Sequence, residues 1–370
     1  MFFSSRNTAG SAVRAAMWLT ALVFAGCVRA DFDDKQFEAR LIHTLDRQAT
    51  STITLGRQAS LAALGAGSLN PAAASWPESN DPGVSFTGNY VDAASSSADT
   101  RIVAVPVTVR WYSQTFGTTQ FSYAHTRTRH GGGIQELQQG LGSDEYMLAY
   151  GRPLTKAWAL GGSVRVTDSQ IDHEFSSPEL GGRALRATTR FVAPDINLGV
   201  AGHITNSLTM GAVISVSRAR PTTELQNVDT LVVPSTITGT QVAVLPGTLL
   251  NTSTDRFWYY ALGLGFGYRP SLDVAVYLDV RAARSTSTAG GTVDLARMTA
   301  GVEHCVNERW SWRAGISVNT EHDVTTSFGL SYRLRRNLDL ALAWQNNASP
   351  EVNPELGRTR LLAGSMGWRL

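Results

Sequence analysis

The chain has 370 residues, 32 Lys and Arg against 30 Asp and Glu, and a formal net charge of +2. Charged residues make up 17% and hydrophobic residues 43%, which excludes a disordered chain and falls below the roughly 25% charge of soluble domains. The balanced charge removes the basic footprint of a nucleic-acid binder. No uncharged apolar run reaches the roughly 18–20 residues of a transmembrane helix. Mean hydropathy is -0.10, as expected of a closed β-barrel, the other structure that spans a bilayer, because one face of every strand is polar.

The first 30 residues read as an export signal. Arg6 and Arg14 make a basic start, residues 15–28 form an uncharged core, and Val28-Arg29-Ala30 fits a small-x-small cleavage site. Ala25-Gly26-Cys27 offers a rival cut whose Cys would be lipidated. Two Cys, at 27 and 305, are too few for a disulfide scaffold or metal cluster, and the seven His are scattered. No HExxH, GxSxG or P-loop is present, so no catalytic role, metal or cofactor is expected.

Residues 31–82 do not alternate. Asp34 can cap a short helix through Arg47, with Phe37, Leu41 and Leu45 on one stripe. The stretch 55–76 is Gly/Ala-rich and too weakly polar to stay solvated. A wide barrel has a lumen that its own side chains cannot fill, so this segment is expected to pack inside as a plug, the alternative being a free periplasmic tail.

From residue 83 to 370 the signal is period two, the mark of strands with two different faces. Residues 257–268 are the clearest case. Trp258, Tyr260, Leu262, Leu264, Phe266 and Tyr268 point one way, opposite Phe257, Tyr259, Ala261, Gly263, Gly265 and Gly267, which are mostly small. Aromatics at both ends of an apolar face match interfacial girdles. Strands are expected near 83–92, 100–113, 117–129, 143–151, 157–173, 185–202, 207–220, 254–268, 272–285, 291–304, 309–320, 323–334, 337–346 and 358–370. Short connections follow every second strand and read as periplasmic, whereas 130–142, 221–253 and 347–357 are long and read as extracellular. The fold class is therefore all-β, a transmembrane antiparallel barrel of about fourteen strands with an N-terminal plug. The expected location is the outer membrane of a Gram-negative bacterium. Leu362, Gly364, Met366, Trp368 and Leu370 share one face and resemble the C-terminal β-signal of such proteins.

Gly56, Ala59 and Ala62, then Ser68-Leu69-Asn70-Pro71-Ala72, followed by a first strand at 83, resemble the hatch of the long-chain fatty acid transporter family (FadL/TodX-like hydrophobic-compound channels). The resemblance implies a signal peptide, a hatch ending near Asn-Pro-Ala, fourteen strands and passive uptake of a long-chain fatty acid or hydrocarbon-like molecule. Ala63 stands where family members often carry an acid, and Ala73 where Gly commonly follows. Substrate identity therefore does not carry over.

Four groups are candidate sites. Leu69, Asn70, Pro71 and Ala72 make either a gate that shifts on ligand binding or a rigid turn that closes the plug. Loop 221–253 carries Leu231, Val232, Val233, Val244 and Leu245. It is either a landing site for hydrophobic molecules or a hairpin extending two strands, with Pro234–Gly239 as its turn. His125, Arg127, Arg129 and His130 can meet lipopolysaccharide phosphates, guide an acidic substrate, or form a solvated rim. Arg165, Arg281, Arg313, Asp195, Asp273 and Asp279 are expected to face the lumen, meeting a ligand carboxylate or pairing with one another. Expected partners are a hydrophobic ligand and outer-membrane lipid and lipopolysaccharide, with a monomeric protein. The competing function is a non-transport barrel, acting as a secretion scaffold or a surface protein-interaction module. An outer-membrane lipid hydrolase would need a lipid-facing Ser-His pair, and none is legible.

Overall fold

The computed structural model describes residues 60–62, 70–75, 83–95, 99–113, 115–131, 139–177, 183–227, 231–234, 241–244, 249–288, 291–320, 324–346 and 359–369. The expected signal peptide at 1–30, the helix at 34–47, Leu69 and Leu245 lie outside them.

The described chain is almost wholly strand. In order these are β1 (Gly83–Ser95), β2 (Asp99–Ser113), β3 (Gly117–Gly131), β4 (Gln139–Pro153), β5 (Trp158–Ser177), β6 (Arg183–His203) and β7 (Leu208–Ala219). Four short strands follow: β8 (Thr222–Asn227), β9 (Leu231–Pro234), β10 (Gln241–Val244) and β11 (Leu249–Thr254). The rest are β12 (Phe257–Tyr268), β13 (Val274–Ser287), β14 (Gly291–Cys305), β15 (Trp310–Asn319), β16 (Val324–Arg335), β17 (Leu338–Asn346) and β18 (Thr359–Arg369).

Pairing closes β1–β7 and β12–β18 into a ring. Strand β1 pairs with β18, β6 with β7, and β7 with β12, giving a 14-strand antiparallel barrel. Closure leaves no sheet edge around the ring, which is the condition for crossing a bilayer with strands. No helix among the described residues is long and apolar enough to cross a membrane.

The alternation expected from sequence sets the two faces. In β12 the residues Phe257, Tyr259 and Ala261 are buried toward the lumen, whereas Trp258, Tyr260 and Leu262 are exposed on the outside. The outer belt also exposes Leu148 (57%), Leu198 (60%), Ile214 and Leu342. Each such side chain gains about 1.5–3 kcal/mol when removed from water, so a belt of them requires lipid or detergent. At the short-turn end Trp111, Tyr150, Tyr268, Trp310 and Trp368 are exposed, and the Trp310 and Tyr332 rings lie 4.5 Å apart. These form an aromatic girdle.

Strands β1 and β18 start and end at this same end, since Ser85 pairs with Arg369. The connection from β2 to β3 is tight, and Gly117 has φ +89°, a conformation that favours glycine. A Cβ there would also stand 2.3 Å from the Gly151 carbonyl oxygen.

The region expected as loop 221–253 is built largely as a hairpin. Thr222 pairs with both Arg190 on β6 and Thr254 on β11. The ladder formed by β8 and β11 continues the β7–β12 register, in which Ala219 faces Phe257. Beyond a bulge between Leu249 and Asn251, β9 and β10 pair to the tip, with Pro234 opposite Gln241. The alternation of this segment therefore reflects strand extension of two barrel staves. Leu231, Val232 and Val233 lie on β9 and Val244 on β10.

Candidate functional site

Two pieces of the N-terminal segment, Ser60–Ala62 and Asn70–Ser75, lie buried inside the ring. Pro71 opens a tight turn whose first hydrogen bond runs from the Ala73 amide to the Asn70 carbonyl, at 3.0 Å. Pro suits this position because its fixed φ is turn-like and the amide it lacks is not needed there. Residues Ala73–Ser75 then complete one turn of 3-10 helix.

Asn70 is the hub. Its side-chain amide donates to the Leu61 and Val200 carbonyls, each at 3.0 Å, and its Oδ1 accepts from the Ala72 amide at 3.1 Å. One side chain thus joins both plug pieces to strand β6. It is fully buried, so each broken bond would leave a stranded polar group.

The plug is anchored at two further points. Thr118 on β3 donates its hydroxyl to the Ala74 carbonyl at 2.8 Å. On β13 the Asp279 carboxylate accepts from the Ser60 hydroxyl at 2.7 Å and from the Leu61 amide at 3.3 Å.

Between these anchors the wall is bare backbone. Gly151, Gly161 and Gly199 face one another across β4, β5 and β6, and Gly211 faces Gly265 across β7 and β12. A Cβ on Gly211 would lie 1.9 Å from the Leu61 oxygen, and one on Gly199 would lie 2.2 Å from Asn70 Oδ1. On Gly161 it would lie 2.4 Å from the Ala72 nitrogen. The described plug residues therefore rest against seven adjacent strands, β3 to β7 with β12 and β13.

Two cavities border the wall from β13 round to β18 and β1. A cavity of about 70 Å³ is lined by Tyr277, Asp279, Glu303, Arg313, Gly329 and Gln345, among others. A second, of about 190 Å³, lies toward the short-turn end among Thr87, Ser311, Ser331, Arg333, Asp339 and Arg369. Both run along β14 to β18. Asp279 has a foot in each region: it anchors the plug and borders the smaller cavity.

The lumen charges are engaged with their neighbours. Arg165 lies between Glu145 on β4 and Asp195 on β6, at 3.8 and 3.4 Å. Asp195 also accepts from Asn197. Arg313 donates to Glu303 at 3.0 Å, and Arg281 to the Tyr259 hydroxyl at 3.1 Å. Asp273 departs from the expectation. Strand β13 begins at Val274, and Asp273 is exposed in the short turn before it, not on the lumen wall. At the outer end of β3, His125 pairs with Asp144 at 2.9 Å and Arg127 is exposed. Among the described residues, no cluster of three or more His, Cys, Asp and Glu could hold a metal.

Sequence reasoning singled out Asn70 and Asp279 separately and missed that both hold the Ser60–Ala62 segment. It also missed Thr118. Gly263 and Gly265 were visible as the small face of β12, but Gly151, Gly161 and Gly199 sit on other strands, and only the register aligns them.

No family model matches the chain, and no curated protein matches it in sequence. Solved structures do match in shape. The Pseudomonas putida toluene transporter TodX superposes with a TM-score of 0.54 at 13% identity, over 85% of this chain and 96% of TodX. A Pseudomonas aeruginosa FadL homologue gives 0.57 at 9% identity, over 81% and 92%. The translocator domain of the autotransporter NalP from Neisseria meningitidis gives 0.51 at 8% identity, over 90% and 98%. At these identities the likeness speaks to fold. The chain thus has the fold of FadL/TodX-like barrels: a closed ring of fourteen strands with N-terminal residues seated inside it.

Proposed function

We propose that this protein is an outer-membrane channel for passive uptake of hydrophobic small molecules, of the long-chain fatty acid or hydrocarbon kind. The observation that carries this reading is the divided lumen: a plug held to one half of the wall, with cavities along the other. A barrel built only as a sealed anchor has no need of such asymmetry. The shared fold with a toluene transporter and a FadL homologue supports the same reading.

In this scheme residues 1–30 are a cleaved export signal, 31–82 the plug and 83–370 the barrel. Hydrophobic molecules land on the hairpin tip around Leu231, Val232, Val233, Val244 and Leu245. They pass beside the plug and leave through the second cavity, at the short-turn end. The 70 Å³ cavity is below the ~150 Å³ that admits benzene in an apolar protein cavity. Passage therefore requires the plug or wall to shift, and Leu69 to Ala72 is the segment whose turn would give. Arg165, Asp195 and Arg313 are wall braces in this scheme, not ligand contacts, because their charges are paired within the barrel, and Arg281 is held to the wall through the Tyr259 hydroxyl. Diffusion down a gradient supplies the drive, so no cofactor is involved, and the channel acts as a monomer.

A second reading, a secretion scaffold or surface protein-interaction module, is favoured by the likeness to the NalP translocator domain. The two separate experimentally. Proteoliposomes carrying the purified barrel should take up labelled toluene or oleate faster than protein-free vesicles, with a sugar excluded from both. Uptake no faster than in protein-free vesicles, with another protein co-purifying in equal amount, would replace the first reading by the second.

A further inference from the structure

The outer wall of the barrel carries a cluster of arginines where lipid headgroups belong. Arg218 on β7 faces Trp258 on β12, and its guanidinium stacks over the indole at 4.8 Å. Two residues further along the chain, on the same face, comes the exposed Arg220. Ala219 pairs with Phe257 and Thr222 with Thr254, so Arg220 stands across the ladder from the exposed Arg256. Arg190 on β6, also exposed, faces Thr222 one step further out.

All four point away from the lumen. Arg218 and Arg220 share the face of the exposed Ile214 and Val216, Arg190 that of Val192, and Arg256 that of Trp258 and Tyr260. In the direction of the short turns lies the apolar belt of Ile196, Leu198, Ile214 and Leu262. The stacked rings of Trp258 and Tyr260 lie between belt and arginines, with 6.3 Å between centroids. Aromatics of this kind mark the interface. The arginines lie just beyond it, at the end remote from the short turns.

Like charges directly opposite on neighbouring strands destabilise a sheet. Among the described residues, none of these four arginines has an ion-pair partner. The adjacent Arg284 does: Asp294 holds it by two bonds of 2.6 and 2.8 Å. Asp168 and Asp172 flank Arg190 diagonally, with Asp172 already accepting from Gln170 and Thr188; Glu224 lies one outward position beyond Thr222, and Asp255 accepts from Ser287 and Thr288. Stacking on Trp258 uses the face of the Arg218 guanidinium and leaves its N–H edge for an anion. The facing pair Arg220 and Arg256, with Arg218 one step inward, concentrates positive charge at headgroup depth.

We infer that Arg190, Arg218, Arg220 and Arg256 form a binding site for the phosphate groups of outer-leaflet lipopolysaccharide on the outside of the barrel wall. Guanidinium forks match phosphate oxygens by paired hydrogen bonds, and a bound phosphate removes the repulsion between Arg220 and Arg256. The site also lies at the root of the hairpin formed by β8 to β11. A lipid held there would brace that hairpin against the barrel. The inference rests on the outer-membrane reading above, with the long connections outward.

The test uses the full-length protein purified from its membrane in mild detergent. Native mass spectrometry would compare retention of bis-phosphorylated lipid A, dephosphorylated lipid A of the same acyl pattern, and inorganic phosphate. The wild type should prefer the phosphorylated lipid at least about tenfold, and R220Q/R256Q should remove most of that preference. R335Q/R336Q, a charge-matched control in an exposed turn at the opposite end, should keep it. Heat-modifiable gel mobility would show that each barrel is folded. Equal binding of the two lipids by the wild type, an unchanged preference in R220Q/R256Q, or displacement by millimolar inorganic phosphate would each overturn the site. Absence of the protein from outer-membrane fractions would overturn the location itself. Failure of the channel reading would show separately, as absent uptake in proteoliposomes.

Discussion

The two halves of the barrel wall use the same residue for opposite ends. On the plug side, a Cβ at Gly199 or Gly211 would land within 2.2 Å of plug atoms. On the far side, one at Gly301 would meet nothing nearer than 3.5 Å, and one at Gly329 nothing nearer than 3.6 Å. The first set of glycines makes room for a neighbour that is present. The second leaves room that is used by nothing in the described protein. A wall built to be sealed gains by filling such space, since atoms that face a void forgo dispersion energy. A wall built to pass a molecule keeps it.

That contrast can be broken deliberately. The largest effect is expected from Gly211→Val. Overpacking there costs about 1–3 kcal/mol, which is a rise of about fivefold to 150-fold in undocked plug. Planar-bilayer recordings should show a matching rise in open time, with the barrel still folded by gel mobility. An unchanged current would mean the plug is not held by this seat.

Asn70→Ala should act in the same direction and by a comparable amount. It strands the Leu61 carbonyl and the Ala72 amide and removes the hydrogen bond to the Val200 carbonyl. Each stranded buried group costs about 1–3 kcal/mol. Limited proteolysis should then cut the N-terminal segment faster while leaving the barrel intact. Slower or unchanged cleavage would favour a plug held mainly by packing.

The smallest effect is expected at the hairpin tip. Replacing Leu231 and Val233 by Ser removes apolar area worth about 1 kcal/mol. The concentration for half-maximal uptake should rise about fivefold, with conductance unaltered. A change in conductance and not in apparent affinity would place these residues in the pore and not at the landing site.

Much of this architecture was legible in the sequence because period two is a strong signal wherever one face meets lipid. The strand expected at 207–220 runs over Leu208–Ala219, and the one at 309–320 over Trp310–Asn319. The weak points have physical causes. Asp273 continues the alternation of β13 in sequence, yet the ladder starts one residue later. Residues 221–253 alternate because they are strand, and only pairing could show that β8 and β11 prolong β7 and β12. The plug seat was invisible for a different reason. It is made of backbone carbonyls and glycines brought level by the register of five strands, and one sequence holds no record of register. Asn70 was findable because Asn-Pro is a turn signal by itself. Its partners Leu61 and Val200 were not.

The central claim is that the open half of the lumen is the route and the plugged half is its gate. Uptake of labelled toluene or oleate by proteoliposomes carrying Gly329→Phe, set beside wild type, tests it most directly. The substitution enters the cavity beside Arg313 and Ala343, far from any plug contact among the described residues. Uptake should fall at least about tenfold, with the plug as resistant to protease as in wild type and thermal stability within about 1 kcal/mol of it. Undiminished uptake from a folded Gly329→Phe barrel would contradict the route.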